Sequence, residues 1–312
     1  MSGSGAARRI VSLLPSATEM IYGLGLEDRL VGVTHECDFP AAAQALPVLV
    51  RPVLPLERMS QAEIDVAVTA RLREGKSLYE IDERLLADLA PDLIVTQDLC
   101  QVCAPSGNEL TQALQKLSKK PDVLWMTPST LAGVQDNIRD LARATGAEAP
   151  AARMLADWDA RIAAVAQRGA ALARRPRVFC MEWLDPVYCS GHWVPEMVRL
   201  AGGEDALGRE GTDSVRIPWS DVVAFAPEIL ILMPCGFSLA QAVAQTDLMA
   251  QHEGLRELPA VRDGRVYVAD ANSYFARPGP RLVDGAELLS HLIAGAPWQG
   301  PADAFRMIDL RG

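Results

Sequence analysis

The reactive side chains of this 312-residue chain are concentrated in six cysteines and four histidines. Cys100-Gln101-Val102-Cys103 is a single CxxC, and His35 and Cys37 stand two residues apart upstream of it. Thiolates and imidazoles are the ligands that zinc and other soft cations prefer, so these four side chains form a His/Cys₃ set if the loops carrying them meet. One CxxC alone is a weak signal, because structural zinc sites draw on two such pairs or on a histidine pair. Two further readings stay open: small buried thiols with no ligand role, and thiol redox chemistry. Cys180 and Cys189 fall on or near a strand and read as core, and His192, His252 and His291 read as solvated or capping residues. No GxSxG elbow, phosphate loop or helix-opening GxGxxG occurs, so the chain is read as a binder rather than an enzyme.

A second set is aromatic. Phe39, Trp183, Trp219, Phe237, Tyr274 and Phe275, with Arg277, all fall in segments expected to follow strand ends. Aromatics clustered at loop tips suit a broad, partly apolar ligand, and the plain alternative is that they plug an interface between lobes.

Those segments need a scaffold, and the hydrophobic pattern supplies it. Short apolar runs predict strands over 9–14, 30–33, 92–96, 123–126, 177–181, 229–233 and 265–269. Helical patterns lie between them. Ser60-Gln61-Ala62-Glu63 is a capping box opening a helix to about 75, and the longest helical stretch spans 149–174. Strands alternating with helices predict parallel sheets covered on both faces, an α/β fold. In such sheets ligands bind outside the carboxyl ends of the strands.

The second half repeats the first. Glu19-Met20 aligns with Glu196-Met197 and Gly25 with Gly202, an offset of 196 − 19 = 177. Leu89-Ala90-Pro91-Asp92 echoes Phe225-Ala226-Pro227-Glu228 at an offset of 225 − 89 = 136, so the first half carries extra residues, chiefly within 51–81. Two Rossmann-like lobes joined by one long helix follow: 8–147 with an inserted segment 51–81, a linking helix 148–175, a second lobe 176–297 and a tail 298–312. Glu19 and Glu196 read as carboxylates complementing helix dipoles.

Composition narrows the class further. Hydrophobic residues make up 49% and charged residues 22%, and the formal charge is 30 − 40 = −10. An acidic chain lacks the basic field that nucleic-acid binding requires. The longest uncharged stretch, 229–246, is broken by Pro234 and Gly236, so no membrane span is expected. No signal-peptide pattern is visible at the start, and scattered thiols suit a reduced compartment.

Taken in order, Ile10-Val11-Ser12-Leu13-Leu14-Pro15-Ser16-Ala17-Thr18-Glu19, Cys37-Asp38-Phe39-Pro40, Ala90-Pro91-Asp92-Leu93-Ile94-Val95, Arg216-Ile217-Pro218-Trp219 and Arg277-Pro278-Gly279-Pro280-Arg281 resemble the cobalamin-binding member of the helical-backbone (class III) periplasmic binding proteins. No single motif is specific; the ordered set, over about residues 9–296, is. The resemblance implies a corrinoid such as cobalamin clasped in a cleft between the lobes, with ferric siderophores or haem as alternatives. It implies that Phe39 lies at the first-lobe mouth, that Trp219 lines the corrin, and that Tyr274 and Arg277 lie in the last cleft loop. Trp219 and Arg277 are expected in loops whose truncation opens no core cavity. It also implies docking on an ABC permease through one acid on each lobe, nearest here to Glu83 and Asp221. The missing signal pattern, the added segment and the thiol-rich mouth predict a cytoplasmic branch handling or salvaging cobalamin, or a periplasmic protein if a leader is removed. The reading from another class is a tetrapyrrole or metal-centre enzyme, chelatase-like or processing cobalamin through thiols.

Overall fold

The computed structural model describes residues 6–97, 113–117 and 119–311. The chain divides into two compact units, one formed by 1–128 with 132–156 and the other by 129–131 with 157–312.

The first unit is built on β1 (Ile10–Ser12), β2 (Leu30–Thr34), β3 (Val48–Pro52), β4 (Tyr79–Ile81), β5 (Leu93–Thr96) and β6 (Asp122–Trp125), in the order β4-β3-β2-β1-β5-β6. All neighbours are parallel except β4, which runs antiparallel to β3. β1 and β5 are buried along their whole length, as central strands covered on both faces must be. Around them lie α1 (Pro15–Gly23), α2 (Gln61–Arg73), α3 (Glu83–Leu89), α4 (Leu131–Thr145) and the first part of α5 (Glu148–Ala170). The Ser60/Glu63 capping box forms as the sequence predicts and starts α2. Residues 51–81 therefore hold the end of β3, α2 and β4, and they widen the sheet rather than loop out of it.

The second unit begins with a hairpin, β7 (Val178–Leu184) and β8 (Val187–Cys189), followed by β9 (Gly191–His192), α6 (Val194–Leu200), β10 (Arg209–Glu210) and α7 (Trp219–Phe225). Next come β11 (Ile229–Leu232), α8 (Leu239–Val243), α9 (Pro259–Arg262), β12 (Val266–Ala269), α10 (Ala271–Tyr274), α11 (Leu282–Ala294) and β13 (Phe305–Met307). The sheet order is β13-β12-β11-β7-β8, with a parallel centre and an antiparallel strand at each edge. β9 and β10 form a separate two-stranded pair. The core between sheet and helices is a cluster around Phe179, Met181, Leu230, Leu232 and Val268, each inaccessible to solvent.

The internal repeat is physical as well as textual. α3 and α7 both end on an alanine in the left-handed region, Ala90 at φ 41° and Ala226 at φ 50°, before Pro-Asp or Pro-Glu. Asp92 accepts the backbone N–H groups of Arg8 and Arg9, and Glu228 accepts that of Arg177. The Arg9 guanidinium donates to the Leu89 carbonyl and that of Arg177 to the Ala226 carbonyl, at 2.6–2.9 Å and 2.9 Å. Each unit thus satisfies the last carbonyls of a short helix with the arginine that precedes its first strand.

Candidate ligand-binding site

The carboxyl edge of the second sheet gathers the aromatic residues. β7 runs on to Leu184 instead of ending at 181, so Trp183 stands on the strand and not in the loop expected from the sequence. Its ring meets Phe237 edge-on at 5.5 Å between centroids. Phe237 follows the turn at Gly236, whose φ of 83° suits glycine, and its backbone N–H donates to the Pro234 carbonyl. The Trp183 indole N–H is buried without a hydrogen-bond partner, a donor left unspent by the protein itself.

Trp219 also departs from expectation. It is the first residue of α7, preceded by Pro218 at the cap, and it packs partly buried against the unit's core. Its indole N–H donates to the Glu253 carbonyl at 2.8 Å, and its ring stacks on His252 at 4.3 Å. Truncating it therefore removes packing as well as any ligand contact, contrary to the expectation of a bare loop residue. The His252 ring donates to the Leu184 carbonyl, and burial holds its pKa below the usual imidazole range, which keeps it neutral.

Tyr274 and Phe275 are 8% and 3% exposed. The Phe275 carbonyl accepts the Trp193 indole N–H at 2.8 Å, and Tyr274 meets Trp298 edge-on. Both rings form the wall of this edge rather than its surface. Arg277 opens the turn that leads to α11, where its carbonyl accepts the Gly279 N–H. Below that turn, Arg161 on α5 bonds Asp284 and Glu287 on α11.

In the first unit Phe39 is 46% exposed just past β2. Cys37 is buried in a chain of hydroxyls. Its sulfur lies 3.1 Å from Thr18 Oγ1 and 3.5 Å from Thr34 Oγ1, while Thr18 donates to Ser12 and Ser12 to the Leu14 carbonyl. His35 Nδ1 lies 3.1 Å from the Val50 carbonyl oxygen. Cys100 and Cys103 lie outside the described residues. Among the described residues no group of three or more His, Cys, Asp or Glu side chains is placed to hold a metal ion. The two described members of the predicted metal set are engaged in hydrogen bonds of other kinds.

Sequence reasoning missed a pair of acids beside the aromatic edge. Met181 faces Cys189 and Trp183 faces Tyr188, so Glu182 is the extra residue of a β-bulge. Its carboxylate accepts the Gly191 N–H at 3.0 Å and a hydrogen bond from the Ser214 side chain. Asp205 accepts the Ser190 hydroxyl at 2.7 Å and the Gly208 N–H at 2.9 Å. Burial, opposed only by those donors, pushes Glu182 up to about 7, with the Asp205 charge adding to the rise. Burial likewise pushes Asp205 up to about 6. The position of Glu182 past an apolar run was visible; the donors that hold it were not, because nothing in the sequence marks a bulge.

Comparison with known proteins agrees with this architecture. The chain is 24% identical over 278 residues to the vitamin B12-binding protein of Vibrio parahaemolyticus, covering 88% of this chain and 86% of that one. Among solved structures, it superposes on the periplasmic vitamin B12 binding protein of Vibrio cholerae with a TM-score of 0.63 at 23% identity, covering 92% of this chain and 96% of that one. It superposes on a periplasmic haem binding protein of Pseudomonas aeruginosa with a TM-score of 0.73 at 21% identity, covering 98% and 99%. These likenesses establish the two-unit α/β fold. The family model described as periplasmic binding protein matches residues 10–273, and the chain belongs to that family of substrate-binding proteins.

Proposed function

We propose that this chain binds a corrinoid, with cobalamin as the leading candidate, and that it does so as a binding protein and not as an enzyme. The observation that carries the reading is the aromatic carboxyl edge of the second unit, where Trp183 and Phe237 stand beside an unspent indole N–H. A corrin is flat, largely apolar across its faces and ringed by amides, so an aromatic surface with a free donor matches its chemistry. Trp219 and Arg277 join them on the same unit, Tyr274 and Phe275 back them, and Phe39 is the contribution proposed for the first unit. The relative named as a vitamin B12-binding protein supports the same choice of ligand.

Titration with cyanocobalamin, followed by tryptophan quenching, tests the reading, with haemin and a ferric siderophore run in parallel. Saturable binding of cyanocobalamin and none of the others is expected. Preference for haemin would favour the second reading, which the haem-binding structural neighbour supports. Trp219→Ala and Arg277→Ala should each weaken binding by about 1–3 kcal/mol, roughly ten- to a hundredfold. Recovery of the ligand unchanged after incubation with thiol reductant is expected of a binder; turnover would restore the enzyme reading. Elemental analysis of untagged protein decides whether His35, Cys37, Cys100 and Cys103 hold zinc or another soft metal.

Glu83 and Asp221 are the residues proposed to meet a permease. Each lies in the first turn of one of the paired helices α3 and α7, and Glu83 is bonded to Lys116. No helix among the described residues is long and apolar enough to cross a membrane. A cytoplasmic placement draws on the thiols, since the described Cys37, Cys180, Cys189 and Cys235 form no disulfide, whereas the relatives' periplasmic names favour the other compartment. Cell fractionation distinguishes the two.

A further inference from the structure

α2 is held to its unit along one face. Gln61 at its start is inaccessible to solvent, and Val68 and Leu72 pack against the first core, so 61, 68 and 72 mark the inward side. The opposite side carries Glu63, Val66, Ala70 and Arg73, all exposed and spaced by three, four and three residues. At 3.6 residues per turn that spacing keeps the four in one stripe. Val66 is 67% exposed, more than any other large hydrophobic side chain among the described residues. A single surface valine means little; its place in the stripe is what matters. The order acid, apolar, small, base is complementary to its own reverse, because 63 with 73 and 66 with 70 are both centred on residue 68. The charges at the two ends are available. Glu63 accepts the Ser60 N–H and hydroxyl on Oε2, at 2.8 and 2.9 Å, and these bonds hold its carboxyl below the usual carboxylate range. At the other end Arg71 donates to the Ser77 carbonyl and Lys76 pairs with Glu74, whereas Arg73 holds no ion pair among the described residues.

We propose that the outer face of α2 is a self-association surface, on which a second copy of this chain lays its own α2 antiparallel about a two-fold axis at residue 68. Glu63 then meets the partner's Arg73, Val66 meets the partner's Ala70, and each contact recurs by symmetry, as an isologous interface requires. Spacings of three and four residues are those of helices packed side by side, and a small residue opposite Val66 lets the two axes approach. The opposite orientation is excluded by charge: parallel helices would set Glu63 against Glu63 and Arg73 against Arg73. Antiparallel helix dipoles act in the same sense. α2 has 13 residues and is about 20 Å long. One such pair buries less than the roughly 1,200 Å² of a standard interface, so the dimer is weak and depends on concentration.

The surface lies apart from the aromatic edge, and its test needs no ligand. Sedimentation velocity of the full chain over roughly 1–500 µM covers the range in which a small interface dissociates. The wild type should move from monomer toward dimer across that range, and 0.5 M salt should weaken the association by screening its charges. Val66→Lys should stay monomeric throughout. Arg73→Glu, which sets like charges together at both symmetric positions, should weaken the dimer about tenfold or more. Glu63→Arg combined with Arg73→Glu exchanges the two ends and should restore it, with far-UV circular dichroism reporting whether α2 survives loss of its capping box. A wild type that is monomeric at every concentration overturns the proposal and leaves the face to a different partner. A dimer that persists in both Val66→Lys and Arg73→Glu overturns it as well, since the copies then meet elsewhere. An exchanged variant that keeps its helix yet stays monomeric overturns the antiparallel register; if that variant loses its helix, the two single variants decide.

Discussion

The amino ends and the carboxyl ends of the two central sheets have followed different courses. At the amino ends the units match: an arginine before the first strand closes a short helix, and an acid after Pro91 or Pro227 collects the backbone N–H groups at the strand's start. At the carboxyl ends they differ. The first unit places a neutral chain of Ser12, Thr18, Thr34 and Cys37 there, and the second places Glu182 and Asp205 with a row of aromatics. The matched end solves a problem of backbone satisfaction that any such unit has, whereas the end where ligands bind in open parallel sheets was left to diverge.

The largest effect expected from breaking this arrangement is Phe179→Ala, which empties a fully buried position of the second core and should cost about 3–5 kcal/mol. Hydrogen exchange should show β7, β11 and β12 losing protection while β1 and β5 keep theirs; loss in both units would mean that the cores are coupled. The corners come next. Asp92→Ala and Glu228→Ala each strip acceptors from backbone donors, and each should lower stability by about 1–3 kcal/mol in denaturant titrations. An effect in one unit alone would end the claim that the corners are equivalent.

The carboxyl end should betray itself in pH dependence. Glu182 is raised from 4.5 to about 7 in the folded chain, so the folded state keeps this proton to higher pH than the unfolded chain does. Its contribution to stability is therefore greatest below about 4.5, falls as pH rises toward 7, and is flat above. Between pH 6 and 8 wild type should lose about 1 kcal/mol relative to Glu182→Gln. Denaturant midpoints at the two pH values check it, and parallel curves would refute it. The smallest effect is expected on α2, which belongs to the segment without a counterpart in the second unit. Val66 is 67% exposed there, and Val66→Lys should change stability by less than about 0.5 kcal/mol.

Much of the scaffold was legible because its signals are local. β1, β5 and β11 are continuous apolar runs, the Ser60 box writes the start of α2, and the Ala-Pro-acid repeat exposes the paired corners. The sequence pattern predicts none of β3, β4, β8 to β10 or β13, since two- to five-residue strands defined by their neighbours have no period of their own. Trp219 is expected in a loop, and only the structure shows it opening a helix with Pro218 at the cap. Among the aromatic residues, the sequence does not separate Trp183, partly buried on its strand, from the buried Tyr274 and Phe275. Glu182 was out of reach because Gly191 and Ser214, which bond its carboxylate, come from further along the chain.

Residues 215–217 run along the outer side of β8, joined to it by backbone hydrogen bonds. β8 stands at the margin of its sheet, and Val215 and Ile217 use up the hydrogen-bonding groups it would otherwise present outward. A strand margin so covered cannot recruit another chain, whereas a bare one is a template for self-association. The segment that leads into Trp219 is thus also what keeps this side of the protein from pairing with its own copies, and a change that lifts it exposes β8 as a template.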